Sequence, residues 1–306
     1  MDSLSVSLNR FVQQNLLTEL FPPDHEVEVE APPIRPDSPG PGLVDPSLPT
    51  GRIVAVVNQR AKAGKTVTAI NLGAALCEEE ARVLAVDLDP QGTLSARLGL
   101  CPDEVDLGVY ELLLDPAVDI ADLLHHTAVP GLDLIPCGID LAAAEFALAA
   151  DAAGVQVLKT RLESCLGRYN YVLIDCPPSL GLLTVNALTA AGAVLAPVDC
   201  ETFSVKGMSL LLDVIHKVKW TLNPELIVLG ILATMSETGT EVGSAVMSSI
   251  SENFPGLLFK TVIHKATKLS EVSPAGAGEP ALVHAPQSGR ADEYRDMARE
   301  VLLRGS

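Results

Sequence analysis

The stretch Ile53-Val54-Ala55-Val56-Val57-Asn58-Gln59-Arg60-Ala61-Lys62-Ala63-Gly64-Lys65-Thr66 decides how the rest of the sequence is read. Its first five residues are an unbroken apolar run, the pattern of a strand buried on both faces. The polar residues that follow end in Gly64-Lys65-Thr66, at the start of a helical stretch over Thr66–Cys77. A strand, a tight loop and a helix start gather backbone N–H groups and the positive end of a helix dipole around one point, which suits a phosphate. In that arrangement the lysine reaches the β/γ-phosphates and the threonine hydroxyl a Mg²⁺ ion. On the tripeptide alone the reading as an ordinary surface loop wins, so the surrounding pattern carries the weight.

Working outward, nearly continuous apolar runs recur at Val83–Val86, Leu132–Pro136, Tyr171–Ile174, Val194–Val198 and Ile227–Thr234. Helical periodicity fills the intervals, as over Val155–Leu166, Val205–Lys219 and Asp292–Leu303. The alternation predicts an α/β fold, a mostly parallel twisted sheet with helices on both faces and the strand C-termini along one edge. A ligand is expected at that edge. Two strands end there in carboxylates, Asp87-Leu88-Asp89-Pro90-Gln91-Gly92 after the second and Asp175-Cys176-Pro177-Pro178 after Ile174. Buried carboxylates without a cation or donors are costly, and a Mg²⁺–nucleotide complex supplies the cation. Each aspartate alone also reads as a turn cap. Three coordinated sites in one chain favour the ligand.

The chain has 306 residues, 48% of them hydrophobic, enough for a large core, which excludes disorder of the whole. Its net charge of −18 speaks against a protein that coats DNA or an anionic membrane over its whole surface, so any such contact must be local. Residues 1–21 are expected to hold a short amphipathic helix, with Leu4, Leu8, Phe11, Val12, Leu16, Leu17 and Leu20 at helical spacing. Residues 22–50 read as an acidic, proline-rich linker, and 51–306 as the folded domain. Six cysteines without a C-x-x-C pair read as reduced, mostly buried thiols, and neither a secretory signal nor a membrane-spanning run is seen. The expected address is the cytoplasm.

The string Asn58 to Thr66, then Ala69-Ile70-Asn71-Leu72-Gly73-Ala74-Ala75-Leu76, Val86 to Gly92 and Ile174 to Leu180, resembles the ParA/Soj family of partition ATPases. The likeness continues through Pro197-Val198-Asp199-Cys200-Glu201, Lys206-Gly207, Leu222-Asn223-Pro224 and Leu269-Ser270-Glu271, covering about residues 51–303. It implies a P-loop NTPase fold of the SIMIBI, ParA-like kind, binding ATP and Mg²⁺. It also implies an ATP-dependent homodimer, non-specific DNA binding in the ATP state, and hydrolysis stimulated by a ParB-like partner. Carried over by position, the nucleotide site is Arg60, Ala61, Lys62, Ala63, Gly64, Lys65, Thr66 and Val67. Lys65 binds phosphate, Thr66 ligates Mg²⁺, Asp87 and Asp175 hold its water shell, and Asp89 orients the attacking water.

The family usually reads Lys-Gly-Gly-x-Gly-Lys-Thr. Here Arg60, Ala61 and Lys62 stand at its first three positions. Arg60 keeps a charge and is a candidate catalytic contact, with a longer, planar head. Ala61 and Lys62 add side chains where glycine lets backbone approach phosphate, with strain wherever φ is positive. The family's common arginine near 239 is Gly239 here, leaving Lys206, Lys217 and Lys219 on one helix, and Lys265 and Lys268 nearer the end, as DNA-binding candidates. The DNA contact is expected to be weak and salt-sensitive, placing some of the protein on the nucleoid. Alternatives are a nucleotide-binding scaffold or regulator with little hydrolysis, and a ParA-like positioner of another cargo. A MinD-like membrane cycle would need a basic amphipathic tail, whereas Ala291–Arg304 is mixed in charge, with an apolar stripe suited to docking on the sheet, so no membrane partner is expected.

Overall fold

The computed structural model describes residues 51–100, 105–138, 140–236, 241–265 and 280–304. The expected helix and linker before Gly51, and the 269–271 motif, lie outside them. In chain order the strands are β1 (Arg52–Val56), β2 (Val83–Asp87), β3 (His125–His126), β4 (Leu132–Ile135), β5 (Tyr171–Asp175), β6 (Ala193–Asp199), β7 (Ile227–Ser236) and β8 (Leu258–His264). They form one sheet of order β3-β4-β2-β5-β1-β6-β7-β8. Neighbours pair parallel throughout, apart from the two-residue β3, which pairs antiparallel with β4.

The helices are α1 (Lys65–Glu78), α2 (Thr93–Arg97), α3 (Val109–Leu114), α4 (Leu141–Ala149), α5 (Val157–Glu163), α6 (Leu182–Ala190), α7 (Val205–Thr221), α8 (Glu241–Asn253), α9 (Ala281–His284) and α10 (Gly289–Arg304). They cover both faces of the sheet, as its doubly apolar strands require. Ile53, Ala55 and Val57 pack with α3 to α7 and with Ile250 and Phe254, while Val54 and Val56 pack with α1 and α10. The stripe Tyr294, Met297, Ala298 and Val301 of α10 is buried there, as its sequence pattern predicts.

Two local expectations are revised. The helix expected over Val155–Leu166 is shorter, running Val157–Glu163 between 3-10 turns at Ala152–Val155 and Leu166–Arg168. Its late start is explained by buried Asn186, whose amide donates to Gly154 O (2.8 Å) and accepts from Leu158 N (3.2 Å). A continuous helix would pair those two backbone groups with each other. Second, Leu258–His264 adds a strand, β8, outside the apolar runs of the sequence. It is a half-exposed edge strand whose Lys260 interrupts the apolar pattern.

Candidate functional site

Parallel pairing brings the informative residues to one edge. Asp87 and Asp175 end neighbouring strands in direct register, and Asp175 pairs on its other side with Val56, after which the phosphate loop leaves β1. The loop is pinned by side chains. Asn58 Nδ2 donates to Pro197 O (2.7 Å) and its Oδ1 accepts from Arg60 N (2.9 Å). Gln59 Nε2 donates to Gly207 O (2.9 Å), in the first turn of α7. Thr234, at the end of β7, contacts Ala63 O (3.2 Å) and Val198 O (3.1 Å) through its hydroxyl. Sequence reasoning passed over these anchors because amides and a hydroxyl at strand ends look like ordinary polar termini.

Gly64 sits at φ 87°, in the left-handed region, directly before α1. Lys62 also lies there, at φ 65°, so the side chain that replaces a family glycine occupies a conformation costing ~1–2 kcal/mol for an L-residue. Arg60, Ala61 and Lys62 are exposed at the loop tip, Ala63 is buried, and Gly64, Thr66 and Val67 are partly buried. Lys65 is buried and its Nζ donates to Arg60 O (3.1 Å). Burial pulls its pKa below the ordinary lysine value, against the opposing charges of Asp175 and Asp89.

The carboxylates are buried as the sequence implies. Asp87 Oδ2 accepts from Ser95 N (2.7 Å) and Ser95 Oγ (2.6 Å), while its Oδ1 has no partner. Ser95 Oγ in turn accepts from Cys137 N (2.9 Å), joining the ends of β2 and β4 through α2, and nothing in the sequence around Ser95 announces this. Burial raises the Asp87 carboxyl to about 6 against the Ser95 hydrogen bonds. Asp175 is fully buried, and neither of its oxygens makes a hydrogen bond of full geometry. Burial, then the Asp87 charge, pushes its pKa well up, with Thr66 and Lys65 pulling the other way. Asp89 is raised by burial, and its Oδ1 accepts from Gln91 N (3.0 Å).

Three buried carboxylate oxygens thus make no hydrogen bond of full geometry, beside a lysine and a threonine hydroxyl. Among the described residues no three His, Cys, Asp or Glu side chains converge as a ready-made metal cage. That combination fits Mg²⁺, a hard cation that keeps much of its water shell and takes few direct protein ligands beside phosphate oxygens.

A family model described as AAA domain matches residues 51–228. Soj, the sporulation initiation inhibitor protein of Bacillus subtilis, is 42% identical over 255 residues, covering 83% of this chain and all of Soj (100%). The chain belongs to the ParA/Soj family. Another member, the chromosome partitioning protein ParA of Caulobacter vibrioides, is 38% identical over 255 residues, with 83% of this chain and 94% of ParA covered. A solved structure described as cobyrinic acid a,c-diamide synthase from Mycobacterium smegmatis with bound ADP and magnesium is 36% identical. It superposes with a TM-score of 0.72 over 81% of this chain and 92% of its own. The cell division ATPase MinD of Pyrococcus furiosus shares the fold, with a TM-score of 0.65 at 24% identity over 82% of this chain and 98% of MinD.

The lysines singled out for DNA do not share one face. On α7, 3.6 residues per turn places Lys206 and Lys217 within ~20° of each other and Lys219 roughly 140° away. Lys206 and Lys217 are exposed on that shared face, together with Asp213. Lys265 is ion-paired with Glu201 across the sheet edge, and Lys268 lies outside the described residues. The described cysteines are free, with Cys137, Cys165, Cys176 and Cys200 buried and Cys77 partly so. Among the described residues no helix is long and apolar enough to cross a membrane.

Proposed function

We propose that this ParA/Soj-family chain is a Mg²⁺- and ATP-dependent ATPase that dimerises when ATP-loaded, binds DNA non-specifically in that state, and turns over when a ParB-like partner engages it. Its work would be the segregation of a chromosome or plasmid, in the cytoplasm and on the nucleoid. The observation that carries the nucleotide part is the set of buried oxygens on Asp87 and Asp175 that make no hydrogen bond of full geometry, beside Lys65. The ADP and magnesium bound in the Mycobacterium smegmatis structure support ATP and Mg²⁺ as cofactors, and the partition role is supported by the likeness to Soj and ParA.

In this reading the backbone N–H groups at the start of α1 hold the phosphates, and Lys65 exchanges Arg60 O for a β/γ-phosphate oxygen. Thr66 would hold Mg²⁺ through its hydroxyl, with Asp87 and Asp175 placed to hold its water shell. Held there, Mg²⁺ would supply charge neutralisation on the phosphates. Asp89, fixed by Gln91 N, orients the attacking water, and Arg60 at the exposed loop tip reaches a phosphate. Such catalysis is positioning and charge neutralisation. DNA is held weakly, chiefly by Lys206 and Lys217, and is released as salt rises.

The left-handed Lys62 favours one second reading, a nucleotide-binding regulator with little turnover, because its side chain stands where close backbone approach normally needs glycine. A single-turnover ATPase assay, with and without DNA and a candidate partner, separates the two. Phosphate release above an Asp89→Ala control supports the enzyme, and none in any condition leaves the regulator.

A further inference from the structure

Thr234 stands on a different strand from every group assigned to the nucleotide, yet its side chain meets the phosphate loop. It is 2% exposed. Its backbone is fixed, since Thr234 O accepts from Cys200 N (3.1 Å) and β6 and β7 pair at Asp199 and Thr234. The hydroxyl has one proton and two carbonyl acceptors, Ala63 O at 3.2 Å and Val198 O at 3.1 Å. Both distances are long for an O–H donor, as when one proton is shared. Gly64 is packed directly on this side chain, for a Cβ built there would lie 3.1 Å from Thr234 Oγ1 and 3.4 Å from Cγ2.

The carbonyl of Ala63 and the N–H of Gly64 belong to one planar trans peptide, so they point in opposite directions. A donor that draws the Ala63 carbonyl towards Thr234 therefore turns the Gly64 N–H the opposite way, away from Thr234. We infer that Thr234 is a positioning residue of the phosphate site: its hydroxyl sets the Ala63–Gly64 peptide so that the Gly64 N–H meets an incoming phosphate oxygen. The inference rests on the nucleotide reading above and deepens it. It also assigns a task to the end of β7 that none of the loop's own residues performs. Asn58 and Gln59 hold the loop's first half through Pro197 O and Gly207 O, and Thr234 holds its second half.

The hydroxyl and methyl of Thr234 have separable effects, which gives the test. Thr234→Val keeps the shape and the methyl contact with Gly64 but removes the proton. Thr234→Ser keeps the proton and removes the methyl. ATP affinity, measured by calorimetry with Mg²⁺ present, is expected to fall roughly tenfold in Thr234→Val, the worth of one misaligned hydrogen bond to a charged oxygen. In Thr234→Ser it is expected to stay within about threefold of the parent chain, even where the thermal midpoint drops through lost packing. Affinity thus follows the hydroxyl and stability follows the methyl. Unchanged affinity in Thr234→Val overturns the inference, as does a tenfold loss in Thr234→Ser, which stands as a test even if the valine variant does not fold. A parent chain that fails to bind ATP overturns the nucleotide reading and this inference with it, whereas a parent that binds alongside an unaffected Thr234→Val overturns this inference alone.

Discussion

Replacing Asp87 by asparagine should stabilise the nucleotide-free protein while impairing its site. Burial raises the Asp87 carboxyl from 3.8 to about 6, even though Ser95 donates two hydrogen bonds to one of its oxygens. In the unfolded chain the same carboxyl ionises near its ordinary value of ~3.9. The folded state therefore holds the proton more tightly, and this group's contribution to stability is full below about pH 4 and is lost as pH rises through about 6. By pH 7.5 the loss amounts to ~3 kcal/mol, and at pH 5 to roughly half of that. Asp87→Asn removes the charge, keeps an acceptor for Ser95, and turns an N–H towards neighbouring Asp175 on the side where Asp87 Oδ1 makes no hydrogen bond of full geometry. It also removes the like charge that helps push Asp175 up. Urea unfolding of the ligand-free protein should show the variant ahead by ~3 kcal/mol at pH 7.5, with the lead about halved at pH 5. Mg²⁺ with ATP should narrow the gap by stabilising the parent more. A variant less stable than the parent at pH 7.5, or a lead that does not change with pH, would refute the reasoning.

Three other outcomes are expected. Arg304 closes the lower edge of the sheet, donating to Leu229 O (3.0 Å), Leu257 O (3.3 Å) and Leu258 O (2.6 Å), stacking 4.2 Å from the Phe259 ring centroid and pairing with Glu300. Arg304→Ala should cost about 3 kcal/mol in chemical denaturation, with Arg304→Lys recovering little of it because an ammonium lacks the planar fork. Gly64→Ala puts a Cβ at φ 87° and 3.1 Å from Thr234 Oγ1, and should weaken ATP binding by at least about tenfold in calorimetry, with a stability loss of ~1–2 kcal/mol. If the α7 face binds DNA, Lys206→Ala and Lys217→Ala should each reduce the slope of log affinity against log salt by about one, while Lys219→Ala leaves it unchanged. Equal effects from all three would place the DNA elsewhere.

The nucleotide reading and the α/β architecture were legible because they rest on short-range signals. Apolar runs bounded by polar turns located β1, β2, β4, β5, β6 and β7 to within one or two residues, and the carboxylates at the ends of β2 and β5 lie where a ligand edge was expected. What was illegible involves groups distant in sequence. Asn186 delays the start of an apparently continuous helical pattern from 28 residues away, through Leu158 N. Edge strand β8 hides behind Lys260, because a strand open to water on one side need not be apolar throughout. Helical phase sets Lys219 apart from Lys206 and Lys217 although all three share α7.

The phosphate loop, with Arg60, Ala61 and Lys62 ahead of Gly64-Lys65-Thr66, and the carboxylates that end the strands can be read from the linear order of residues. Those are properties of composition and local order, fixed by where apolar runs stop and which residue comes next. Three-dimensional packing sets Asp87 and Asp175 side by side with three oxygens that make no hydrogen bond of full geometry, gives Lys62 its left-handed backbone, and brings Thr234, 171 residues from Ala63, onto the loop. Each depends on which strands become neighbours and in what register, and that is set by burial summed over the whole sheet rather than by any segment of it.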